Sequence, residues 1–161
     1  MSGPLKSKHT RANLLAKLYM KQDLHFRREE RLKSEKTIAR LFKEGQSFAV
    51  FPLRVVWLPL EAPVGTFPVQ MALTVSKKKF PKAVDRNQVR RKVREAYRLH
   101  KAELYKALSV LPDHPPIALM ILYGGNLDLP FGQIERSMAK LLHRLGKMLQ
   151  SGMGQPTPPK E

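Results

Sequence analysis

One stretch limits what this chain can become. Lys77 to Lys101, KKKFPKAVDRNQVRRKVREAYRLHK, holds eleven lysines and arginines against two acids, Asp85 and Glu95. At 3.6 residues per turn, Val89, Val93, Ala96, Tyr97, His100, Leu104 and Leu108 fall on one stripe, so the segment predicts a helix with one side in a core. Arg86, Arg90, Arg94 and Arg98 form a row four residues apart on another face, with Asn87 and Arg91 beside it. Helices that need only solubility alternate signs, so that Glu and Lys four apart attract. Here the arginines repel one another, and nothing local neutralises them. A guanidinium is a planar fork that meets phosphate oxygens two at a time, so such a row suits a polyanion. The plainer alternative is a solvated amphipathic helix.

The placement of charge favours the polyanion. Of a formal net charge of +17, residues 1–43 carry twelve bases against four acids and the stretch 77–101 eleven against two. The remainder is balanced, seven against seven. Localised excess of this kind is the footprint of a nucleic-acid partner. The 161 residues, 42% hydrophobic, fit one domain with a core of its own.

Other chemistries find little support. The absence of cysteine excludes disulfides, thiolate nucleophiles and cysteine-based zinc sites. His9, His25, His100, His114 and His143 show no paired ligand spacing, so no cofactor or metal is expected on the protein itself. His100 and His143 fall on apolar helical faces and are expected to be core histidines. Asp85 and Glu95 lie ten apart among arginines and read as ionised partners rather than an acid and a base. Gly124-Gly125 lacks the frame of a phosphate loop. No apolar run approaches a membrane span and no signal-peptide core follows the basic start, so a cytoplasmic protein is expected.

Residues 1–22 contain no acid and read as a disordered basic arm. They loosely resemble a transit peptide, although serine and threonine are scarce; Met20 as the true start is an equally plain reading. Leu32, Ile38, Leu41 and Phe42 mark a short helix, with Ser34 as N-cap and Gly45 as stop. Ser47–Leu60 is β-rich, and Pro52 and Pro59 confine its paired part to Leu53–Leu58. Within it Leu53, Val55 and Trp57 point one way and Arg54, Val56 and Leu58 the other. A proline- and glycine-rich loop at 59–68 leads to a strand over Val69–Ser76. Ile117–Tyr123 (IALMILY) reads as a central strand buried on both faces. Phe131, Ile134, Met138, Leu141, Leu142, Leu145 and Leu149 mark a last helix, and residues 151–161 a disordered tail. The expected architecture is α+β, a two-layer α/β sandwich over about 23–150 whose second sheet face is partly open. Phe42, Phe48, Phe51, Trp57 and Phe80 are candidate stacking platforms for unpaired bases, Trp57 above all, with a core role as the alternative for each.

Leu73 to Arg98, LTVSKKKFPKAVDRNQVRRKVREAYR, closely resembles the signature of the bacterial ribonuclease P protein subunit. There a strand ending V-S/A-K-K leads through a basic loop into a helix that opens Arg-Asn-Arg. Val75, Ser76, Lys77 and Lys78, then Arg86, Asn87, Val89, Arg90, Arg91, Arg94 and Glu95 carry the match. Phe26 to Gly45 resembles the family's first helix, and the likeness spans roughly 24 to 150. It implies the order α-β-β-β-α-β-α with a left-handed βαβ crossover, a fold also found in a ribosomal-protein domain. It implies an accessory subunit of the ribonucleoprotein that removes the 5′ leader of precursor tRNA, with catalysis and magnesium in the RNA subunit. The implied partners are that catalytic RNA and the precursor tRNA.

By the same resemblance Arg86, Asn87, Arg90, Arg91 and Arg94 are expected to face RNA and Lys77 and Lys78 to contact phosphate; Arg98, Lys79 and Lys82, which share the basic stretch, are expected to bind RNA beside them. The resemblance places Phe42, Trp57 and, at the position of a family aromatic, Ile38 along a leader cleft; Val55, on the same strand face as Trp57, is expected there too. Two positions depart from the pattern: Gln88 replaces the third residue of Arg-Asn-Arg, and Ile38 stands where many members have an aromatic. The readings left beside this one are a ribosomal or general RNA-binding protein, a DNA-binding module and a stand-alone nuclease. The DNA reading lacks a helix-turn-helix partner, and the nuclease reading lacks a carboxylate cluster.

Overall fold

The computed structural model describes residues 25–61, 67–111 and 115–152. The expected arm over 1–22, the centre of the 59–68 loop and all but the first two residues of the expected tail lie outside them. Helix α1 spans Glu35–Glu44. The Ser34 hydroxyl accepts the Thr37 N–H at 3.3 Å and so caps it. Gly45 ends it where the chain passes so close to the Leu41 carbonyl and Val56 that a Cβ would collide with both.

Strands β1 (Gln46–Val50) and β2 (Leu53–Pro59) form a hairpin. Pro52 sits in the turn between them, where its lack of an N–H costs nothing; it divides two strands instead of bounding one. After β3 (Val69–Val75) come α2 (Ala83–Ser109), β4 (Ile117–Tyr123) and α3 (Phe131–Gln150). The sheet order is β1-β2-β4-β3, with β3 and β4 parallel and the other pairs antiparallel. The architecture is α+β in the expected order, with IALMILY as a central strand.

Alternation divides the sheet. Leu53, Val55 and Trp57 join Val69, Met71, Ile117, Leu119 and Ile121 in the main core under α2 and α3. The other face sends Val56, Leu58, Ala118 and Met120 toward Leu41 and Leu32. Among the described residues α1 is the one helix on that side, and its ten residues reach about 15 Å. It leaves Arg54 exposed and Ala72, Thr74 and Leu122 half-buried, so among the described residues the second face is partly open, as expected. Among the described residues no helix is long and apolar enough to cross a membrane.

The segment before α1 runs along the free edge of β3. The Leu32 N–H donates to the Met71 carbonyl at 2.9 Å, and Arg31 bridges Met71 in parallel. This edge would otherwise be open to other strands. The segment is held by a buried ion pair. The Lys101 ammonium donates to the Glu30 carboxylate at 2.7 and 3.0 Å, Tyr105 donates to it at 2.6 Å, and both charged side chains are wholly buried. Lys101, the last base of the charged block, therefore belongs to the interior.

Burial pushes the phenols of Tyr97 and Tyr105 up, with the Glu30 charge adding to it. Their folded pKa values lie above the unfolded value of about 10. The stability they contribute is thus fully present below about pH 10 and is lost as pH rises from there through the folded values. Urea melts at increasing alkalinity are expected to hold steady to about pH 10 and then weaken. Tyr97→Phe should shallow that decline.

Candidate nucleic-acid interface

The strand-to-helix lead-in builds the site. Lys77, Lys78 and Lys79 occupy an exposed turn after β3. Phe80 anchors it, buried against Tyr123 at 6.1 Å between ring centroids. The Lys79 ammonium donates to the Gly124 carbonyl at 2.7 Å, tying the turn to the end of β4. Arg86 reaches back to donate to the carbonyls of Phe80 and Pro81, each at 2.9 Å. Both side chains shape the loop that presents Lys77, Lys78 and the exposed Lys82.

Further along α2, Arg90, Arg91 and Arg94 make no ion pair among the described residues. Asn87, Arg91 and Arg94 are exposed and Arg90 half-exposed. Burial first, then the charges of Arg31 and Arg90, depress the Arg94 guanidinium pKa. Arginine remains protonated at neutral pH regardless, so Arg31, Arg90 and Arg94 form a cluster of like charges. Such a cluster gains most from an anion that takes the place of a carboxylate. Arg98 differs from the rest of the row. It is paired with Glu95 through bonds of 2.9 and 2.6 Å, which holds the Glu95 carboxyl below its usual range. This corrects the expectation of an unneutralised fourth arginine and bears out Glu95 as an ionised partner.

The ribonuclease P family model matches residues 26–146, from the segment along β3 almost to the end of α3. This chain belongs to the ribonuclease P protein family. The ribonuclease P protein component of Porphyromonas gingivalis is 42% identical over 120 residues, covering 73% of this chain and 84% of the relative. That of Chlorobaculum tepidum is 35% identical over 135 residues, covering 80% and 85%. Among solved structures, the RNase P protein of Staphylococcus aureus superposes with a TM-score of 0.56 at 22% identity, over 73% of this chain and 95% of that one. The protein from Thermotoga maritima gives 0.54 at 21%, over 71% and 96%. Both likenesses bear on the fold.

In this chain the four residues expected to border a cleft separate. Phe42 is 57% exposed on α1, one turn from the half-buried Ile38. Trp57 and Val55 are wholly buried in the main core beneath α2 and α3. Neither lines an open surface: the alternation along β2 has the two faces right, but the face that stays open is that of Arg54, because short α1 lies there. Phe80 too is core, whereas Phe51 is 65% exposed. Sequence reasoning missed Arg31 and Arg54. The alternation already set Arg54 apart from Trp57; nothing local marks Arg31, which meets Arg94 only through the fold. His100 and His143 also differ from expectation. They pair with Glu135 at 3.2 Å and Glu103 at 2.9 Å across the α2–α3 interface, and His143 is exposed.

The Trp57 indole N–H is buried with no hydrogen-bond partner among the described residues. Replacing it by phenylalanine removes that unpaired donor while losing ring volume, two effects of opposite sign. Trp57→Phe is expected to cost no more than about 2 kcal/mol and to leave RNA affinity of the folded protein unchanged. Urea melts and filter binding check the two halves.

Proposed function

We propose that this chain is the protein component of ribonuclease P and serves removal of the 5′ leader from precursor tRNA by holding RNA, not by cutting it. The observation that carries the reading is the Arg31, Arg90 and Arg94 cluster, flanked by Asn87 and Arg91 and fed by the Lys77–Lys82 loop. Among the described residues none of these three arginines pairs with a carboxylate, which leaves them open to an anion. Arginines there would meet the phosphates of the catalytic RNA, releasing condensed counterions. The open sheet face beside Phe42 and Arg54 would take the unpaired leader, with Phe42 as a stacking ring.

Bond cleavage belongs to metal ions in the RNA subunit, where magnesium activates water. A cytoplasmic place of action goes with the same reading. By binding both RNAs the cationic protein lowers their mutual repulsion, so less magnesium is needed.

The test is cleavage of a precursor tRNA by a bacterial ribonuclease P RNA at limiting magnesium, with and without this protein. Faster cleavage with it, and none by the protein alone, is expected. Phe42→Ala should weaken binding of the leader-bearing precursor on the order of tenfold, the scale of one lost base stack, and leave mature tRNA unchanged. A protein that binds structured RNAs but leaves cleavage unaltered would be a general RNA-binding protein instead.

A further inference from the structure

A second basic row lies on α3. Arg136, Lys140 and Arg144 stand four residues apart and all are exposed. None makes an ion pair with an acid among the described residues. Glu135, the one acid of α3, turns the other way to meet His100 on α2. The row sits against β1, where the Arg144 guanidinium lies 4.6 Å from the centre of the Phe48 ring. Such stacking holds an arginine in place while leaving its edge N–H groups free for phosphate. The Ser137 hydroxyl donates to the Phe51 carbonyl at 2.7 Å, fixing the β1–β2 turn and its exposed ring beside the same helix.

This surface is separate from the arginine cluster of α2. Helix α2 packs on β3 and α3 on β1 and β2, and β1 and β3 are opposite edges of the sheet. Three strand spacings put those edges about 14 Å apart, with both helices between the two rows. One stretch of backbone following either row does not lie along the other.

We propose that the α3–β1 edge is a second RNA-binding surface. Arg136, Lys140 and Arg144 track a phosphate backbone and Phe51 offers a ring to an unpaired base. The protein then bridges two RNA segments. The choice of probe rests on the reading of the chain as the protein component of ribonuclease P; the geometry does not.

The full-length protein is titrated against a folded bacterial ribonuclease P RNA over a range of salt, and the complex is footprinted. Replacing Arg136, Lys140 and Arg144 together by glutamine should flatten the slope of log K against log salt by about 2, taking roughly 0.7 per lost contact. It should also expose nucleotides other than those exposed by Arg90→Ala/Arg91→Ala. Because Arg144 covers Phe48, an Arg136→Gln/Lys140→Gln protein that keeps Arg144 serves as a second variant, with about two-thirds of the slope change. Arg136→Lys/Arg144→Lys, which keeps both charges, should retain most of the affinity. An unchanged slope in both glutamine variants, or a footprint loss coinciding with that of the α2 variant, overturns the inference. If the α2 variant also binds as wild type, the proposed function falls with it; if only the α3 variants do, that function stands.

Discussion

Lys101→Ala is expected to destabilise the protein by about 3–5 kcal/mol, the cost of leaving a buried carboxylate without its cation. The lysine is wholly enclosed and donates to both Glu30 oxygens and to the His25 carbonyl. Removing it strands the Glu30 charge with the Tyr105 hydroxyl and the Arg27 N–H. At about 2–4 °C per kcal/mol for a domain of this size, the melting temperature should fall by roughly 10 °C or more. A Glu30→Leu/Lys101→Met protein should regain most of the loss, because removing both charges leaves nothing unpaired. Urea unfolding of the single and double variants measures the coupling directly. A loss below about 1 kcal/mol for Lys101→Ala would mean that water or a neighbour reaches Glu30. The effect extends to the RNA surface, since the same pair pins the segment that sets Arg31 beside Arg94.

Arg90→Ala/Arg91→Ala should bind ribonuclease P RNA at least about 100-fold more weakly at low salt, at about 1.5–3 kcal/mol for each charged hydrogen bond lost. The salt slope should flatten by between one and two contacts' worth. Both side chains lie on the outer face of α2, away from the core, so the fold should melt as before. Arg98→Ala is the internal comparator. Its guanidinium is already engaged by Glu95, so its loss should weaken binding less than either neighbour's. Cleavage by the RNA alone at high magnesium should be indifferent to every variant. Wild-type affinity in the Arg90, Arg91 double variant would remove the arginine cluster from the mechanism.

Much of the site was legible because it is local. Val89, Val93, Ala96 and Tyr97 set which side of α2 is buried, and the arginines four apart then follow outward whatever the helix packs on. The N-cap at Ser34 and the stop at Gly45 are likewise decided within a few residues. Lys101 is the instructive failure. It stands four residues after Tyr97, on the buried stripe, and that position was the available sign that it does not belong with the surface charge. Its partner, 71 residues earlier, could not be read from spacing.

Trp57 fails for a related reason. Alternation tells that Leu53, Val55 and Trp57 share a face and that Arg54 opposes them, but it is symmetric between the faces. Which one stays wet depends on which helices dock there. The 27-residue α2 and 20-residue α3 blanket one side, while ten-residue α1 can shade only part of the other. The chain by itself determined its helices, strands and charged rows, since periodicity is a property of neighbours along the backbone. The buried Glu30–Lys101 pair, the open face at Arg54 and the separation of two basic edges were decided only by the tertiary structure. They arise from distances between segments that the linear order does not contain.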